Sequence, residues 1–143
     1  MIIPINKFLI AGSLASGLAA LLHVGCIVYG APWYRFFGAG EKMAQLADVG
    51  SKRPSIITSF IVATLAGWSI YALSGAGVIT PLPLLRSALV SITAIYILRA
   101  FAGIPAAFID HERSNEFWLW SSLVCLTIGS IHLVGLIQIW SQL

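Results

Sequence analysis

Apolar residues run through this chain in four long blocks, at 8–31, 55–74, 84–104 and 117–139, with short polar stretches between them. In each block the apolar positions fall on every side of a helical wheel, and the two-residue alternation of a half-buried strand is absent. Each block reaches about 20 residues, the length an α-helix needs to cross ~30 Å of hydrocarbon. A segment inside a bilayer must satisfy its own backbone hydrogen bonds, so four transmembrane helices follow. The breaks have a chemical basis. Pro32 is expected to end the first helix, Ser74-Gly75-Ala76-Gly77 with Pro81 and Pro83 to turn the chain, and Pro105 to close the third helix. Asp110 or Ser114 can cap the fourth. Between the first two spans, Glu41 to Asp48 reads as a short interfacial helix with Met43, Leu46 and Ala47 toward the membrane. The expected fold is all-α: one domain over 1–143, a bundle of four transmembrane helices with a short interfacial helix in loop one.

Composition makes the membrane reading compelling. Of the 143 residues, 59% are hydrophobic and 9% charged, more apolar surface than a soluble domain of this size can hide in its own core. Lys7 before an apolar run resembles an export signal, and His23-Val24-Gly25-Cys26 brushes a lipoprotein cleavage pattern. That pattern needs an aliphatic residue where His23 stands, and the apolar run continues through Ile27, Val28 and Tyr29. The first segment is therefore expected to remain as a span.

Eight basic residues against five acids give a formal charge of +3, too small an excess for a nucleic-acid binder. Its distribution says more than its size. Arg35, Lys42, Lys52 and Arg53 lie in loop one and Arg113 in loop three, while Lys7 and Arg86 lie on the opposite side. Arg99 can snorkel toward loop three. Basic residues in short loops favour the cytoplasm, so both termini are expected on the non-cytoplasmic side of a bacterial inner membrane. All five acids also fall in loops one and three, and none lies inside a span. That absence speaks against a proton-coupled exporter built round an intramembrane glutamate. Cys26 and Cys125 both sit in apolar runs and form no disulfide framework.

Candidate chemistry begins on two small-residue stripes. Gly12, Ser16, Ala19, His23, Cys26 and Gly30 share a face of the first helix, and Ser121, Cys125, Gly129, His132 and Gly135 share a face of the fourth. Small residues let helices approach closely in lipid, so both histidines are expected to face the interior. A haem held between His23 and His132 is disfavoured by depth: counted from the span centres they differ by roughly 11 Å along the membrane normal. Cys125 is the better depth match for His23. With Cys26 it offers one nitrogen and two sulfurs for copper or zinc, but no fourth ligand is evident. No cofactor is predicted.

Three readings of function follow from these residues. The first is a non-enzymatic accessory or scaffold subunit, packing with itself or with a larger membrane complex through small-residue faces. The second is a binder or carrier of an amphiphile, a lipid or quinone, held by His23, His132, Trp68, Tyr71 and Tyr96. The third is an enzyme acting on a lipid headgroup at the cytoplasmic face, with Glu41, Asp110, His111 and Arg99 as candidate groups. The Trp33-Tyr34-Arg35-Phe36-Phe37 collar reads as an interfacial belt. Arg35, Lys42, Lys52 and Arg53 are candidate contacts for anionic lipid headgroups.

Overall fold

A computed structural model describes residues 4–143. They form six α-helices and a closing turn of 3₁₀-helix: α1 (Lys7–Tyr29), α2 (Ala31–Phe36), α3 (Glu41–Asp48), α4 (Arg53–Gly75), α5 (Leu85–Ile109), α6 (Asn115–Ile139) and Trp140–Gln142. Helices α1, α4, α5 and α6 are each long and apolar enough to cross a membrane. The chain is thus a small integral membrane protein built as a four-helix bundle, with two short helices, not one, in loop one.

Two boundaries differ from expectation, both for a backbone reason. The first span ends at Gly30, not at Pro32. Gly30 adopts φ 71° and ψ −139°, a conformation that side chains other than glycine's hydrogen resist, and Pro32 then sits in the first turn of α2. The third span does not close at Pro105. Helix α5 runs through it to Ile109; an internal proline removes one backbone hydrogen bond, which membrane helices tolerate. Ser114 caps α6 by accepting the Phe117 N–H at 3.1 Å.

The four spans form two tight pairs, α1 with α4 and α5 with α6, joined chiefly where α1 meets α6. The first pair is closed by two serines. The Ser13 hydroxyl donates to the Ser69 carbonyl and the Ser69 hydroxyl to the Ser13 carbonyl, both at 2.9 Å. Across the α1–α6 seam, Gly12 makes room for His132, whose side chain is fully buried. A Cβ on Gly12 would fall 2.6 Å from the imidazole Cε1. One turn away, Gly135 receives Leu9 in the same manner.

Asn6 fastens three elements at the terminal face. Its side-chain oxygen accepts the Leu9 N–H at 2.9 Å, capping α1. Its amide nitrogen donates to Gly135 O and Gln138 Oε1, and its backbone N–H donates to Ala76 O at 3.0 Å. The Ser74 hydroxyl holds the 76–84 turn by donating to Thr80 O and accepting from Leu82 N–H. Apolar packing completes the core: Leu9, Leu85, Leu89, Leu136 and Ile139 fill the terminal end, and Ala20, Leu65, Ile92 and Ile128 the middle.

These contacts predict opposite outcomes for two glycine substitutions. Gly12→Ala forces the buried His132 ring aside, an overpacking cost of about 1–3 kcal/mol, and lowers the thermal midpoint in detergent. Gly67→Ala meets open space and gains helix propensity of about 1 kcal/mol. It should leave the midpoint unchanged or raise it.

Candidate functional site

The polar side chains gather in two places, a solvent-side face made by loops one and three and a set of groups inside the spans. On the loop face, the aromatic collar divides. Tyr34 is 3% exposed and its hydroxyl pairs with Thr58 Oγ1 at 3.0 Å, while Trp33 lies flat against Gly25 and stacks on Tyr29 at 4.7 Å. Only Phe36, 83% exposed, stands out as an interfacial belt residue should. The collar is thus half belt and half lid: α2 folds back over the end of α1, where Cys26, Ala31, Tyr34 and Ala44 form a small core.

Arg35 organises loop one. Its guanidinium binds Glu41 at 2.9 Å and Asp48 at 2.8 Å, clasping both ends of α3. Lys42 pairs with Glu112 across to loop three, and Arg113 donates to Asp110 at 2.8 Å and to the Ala39 carbonyl at 3.3 Å. Gly38 lies against the Phe117 ring, completing the junction of the two loops. The hydrogen bonds from Arg35 hold the Glu41 carboxyl below the usual carboxylate range, and Glu41 and Asp48 push the Arg35 guanidinium up. The Glu112 backbone N–H, then Arg113, lower Asp110; Glu112 raises Lys42. These are surface ion pairs, each worth little alone.

This changes how two groups of candidates read. Of the four proposed headgroup cations, Arg35 and Lys42 are already engaged with carboxylates of the chain. Among the described residues, Lys52 and Arg53 have no carboxylate partner. Of the proposed catalytic groups, Glu41 and Asp110 are both bound to arginines, and His111 is exposed. The loops do meet, since Lys42 beside Glu41 reaches Glu112. A shallow depression of about 330 Å³ on α3, lined by Lys42, Gln45, Leu46 and Val49, opens outward.

Inside the spans, the five proposed ligand contacts do not form one site. Trp68, Tyr96 and His132 pack in series, Trp68 edge-on to Tyr96 and Tyr96 tilted against His132, with ring centroids 5.0 and 5.4 Å apart, and Tyr96 shares a hydrogen bond of 2.8 Å with Ser16. Tyr71 packs at the edge of the same cluster but turns its hydroxyl toward the terminal end, donating to the Pro83 carbonyl. His23 is half-buried, donating from Nδ1 to the Ala19 carbonyl one turn back at 2.7 Å. His132 does the same to Ile128 at 2.9 Å, which leaves its Nε2 buried without a partner.

Helix register fixes the depths. Gly12 faces His132 and Leu9 faces Gly135, so residues on α1 and α6 at one level have numbers summing to about 144. His132 is level with Gly12, which lies about 16 Å along the helix from His23. The two imidazoles face different levels, as the span centres implied. By the same register Cys125 is level with Ala19, not with His23. The candidate trio of His23, Cys26 and Cys125 is not brought together; among the described residues no three His, Cys, Asp or Glu side chains converge as a metal site would need.

Sequence reasoning missed Trp118 and Ser122. Arg99 reaches Trp118 and the adjacent Ser121 from α5, its Nη2 donating to Ser121 Oγ at 2.9 Å and its Cζ lying 4.8 Å from the centre of the Trp118 ring, while Ser122 Oγ lies against Gly103 on the same helix. Arg99 Nη1, Trp118 Nε1 and Ser122 Oγ are all buried and unpartnered. One signal was available, a tryptophan and two serines within one turn of the helix facing an intramembrane arginine. Only the pairing of the two helices shows that they meet.

No protein-family model matches the chain, and no curated protein or solved structure is significantly similar to it.

The ion pairs give an acid-side prediction. Glu41 and Asp110 have folded pKa values below their ordinary ones, so their contribution is present above the ordinary carboxylate range and lost as pH falls through the folded values. Amide exchange in residues 37–49, compared at matched intrinsic rates, should accelerate when pH is lowered through that window. Arg35→Gln should produce the same acceleration at neutral pH, with little change in the thermal midpoint of the whole bundle.

Proposed function

We propose that this protein is a non-catalytic scaffold or accessory subunit that associates within the membrane through the outer face of α4, with a second copy of itself or with a larger membrane complex. The observation that carries this reading is the state of α4. It is the least covered of the spans, 17% buried over its most apolar window against 28–33% for the others. Its inner side meets α1 at Ser69 and α2 at Thr58, with Leu65 and Ala72 buried along the same face. On the opposite side, Ser59, Ala63 and Gly67 recur every fourth residue, and a Cβ on Gly67 would meet nothing within 4 Å.

That spacing is the small-xxx-small pattern through which helix backbones approach each other in lipid. Lipid gains nothing by covering small residues in preference to large ones, whereas a second helix gains van der Waals contact along the groove they leave. Inside the chain the same device closes the α1–α4 pair at Ser13, Gly17 and Ser69. The engagement of Glu41 and Asp110 by arginines further supports a structural role for the loop face. The basic bias of loops one and three supports placing that face in the cytoplasm of a bacterial cell.

Disulfide trapping tests the association. In a background with Cys26→Ala and Cys125→Ala, Ala63→Cys should give an oxidant-dependent band of twice the monomer mass, or a larger mixed species, in native membranes. Gly67→Leu should abolish it, while a cysteine placed at Leu98 on α5 should not cross-link. A chain that stays monomeric from Ala63→Cys, with trapping no greater than at Leu98, would sink the proposal.

A further inference from the structure

From the buried groups between α5 and α6 we infer that the protein holds the oxyanion of a membrane amphiphile at Arg99. The charge is the first reason. Arg99 lies well inside α5, and among the described residues no carboxylate pairs with it. An arginine keeps its charge in any protein environment, and a charged side chain within a span is costly unless something pairs with it.

The second reason is geometry. Gly103 faces Ser122, and Ile97 with Tyr96 faces Gly129, so level residues on α5 and α6 have numbers summing to about 225. Arg99 therefore stands level with Leu126. Its head nevertheless reaches Ser121 and Trp118, about 7.5 and 12 Å nearer loop three along the helix. The side chain bends toward the headgroup layer, against the direction helical side chains ordinarily lean.

The third reason is the set of atoms found there. Arg99 Nη1, Trp118 Nε1 and Ser122 Oγ are buried and unpartnered, and all three can donate a hydrogen bond. Ser122 Oγ occupies the space that a Cβ on Gly103 would fill, so glycine at 103 is what admits the hydroxyl between the helices. A second guanidinium, that of Arg113, lies 5.7 Å from the Trp118 ring, and its own charge is met by Asp110. Donors without acceptors beside an uncompensated cation call for an anion with several lone pairs. A phosphodiester supplies it.

Position selects an amphiphile over a free ion. Trp118 is three residues into α6, about 5 Å below its start, and the outward residues Phe101, Ile104, Leu119 and Leu123 offer apolar surface to acyl chains. Because the three donors are buried, binding requires the Arg99 head to rotate off the Trp118 ring and admit the headgroup from the lipid side. This site is separate from the α4 face, and neither depends on the other.

Native mass spectrometry of the full chain in mild detergent tests the inference, with phosphatidylglycerol, phosphatidylcholine and inorganic phosphate added in separate arms. Wild type should retain phosphatidylglycerol about tenfold better than phosphatidylcholine, whose choline cation the guanidiniums repel; a charged hydrogen bond is worth that factor. Arg99→Gln should erase the preference. Trp118→Phe and Ser122→Ala, which preserve shape while removing one donor each, should reduce it several-fold and keep the test valid should Arg99→Gln fail to fold. Equal retention of the two lipids by wild type overturns the inference, as does a preference unchanged in all three variants. Displacement of phosphatidylglycerol by inorganic phosphate at equal concentration overturns the lipid as the source of the oxyanion.

Discussion

In hydrocarbon no hydrophobic force presses one apolar helix against another, so a bundle this small holds only where backbones come close enough for dispersion and short hydrogen bonds to act. The reciprocal bonds between Ser13 and Ser69 are where this chain meets that condition most directly. They set the register of α1 on α4. Gly12 and Gly135 then set the register of α1 against α6 by admitting His132 and Leu9. Other features inherit their depth from these seams and from the α5–α6 contacts at Gly103 and Gly129: the aromatic series Trp68–Tyr96–His132, the level of Arg99 and the place where loops one and three meet.

The same seams explain why the two ends of the molecule differ. At the terminal end Asn6 ties α1 to α4 and α6, and leucines fill the space between. At the loop end α1 and α4 are closed by α2 and α3, held by Tyr34–Thr58 and by Arg35, while α5 and α6 continue with polar groups between them. Polar side chains that the packed end has no use for are concentrated at the end where headgroups begin. Structure and composition agree on the end at which the charged side chains gather.

Much of the fold could be read from residue order, because crossing a bilayer imposes a length and an apolar composition that four blocks of this chain meet. Boundaries were harder. A proline reads as a stop in sequence, yet α5 passes through Pro105, and the true stop after α1 is Gly30, whose positive φ is invisible until the backbone is seen. The candidate site was legible in part. Arg99 was legible as a charge near the loop-three end of a span, able to snorkel toward that surface, and His132 as an inward histidine. The assembly around Arg99 did not, since Trp118 and Ser122 belong to another helix and are brought to it only by antiparallel register.

The sequence by itself determined that this is a four-span membrane protein with its acids and most of its bases on one side. Those properties depend on composition and spacing along the chain, and the bilayer acts on them segment by segment. Tertiary structure decided which polar groups meet. It separated His23 from Cys125, buried Tyr34 beneath a folded-back α2, gave Glu41 to Arg35 and left Arg99 facing donors without an acceptor. Such pairings depend on how helices rotate and slide against each other, and a shift of one residue turns a helical side chain by about 100°. Close contacts at a few glycines and serines fix that rotation, and only the packed bundle shows where they close.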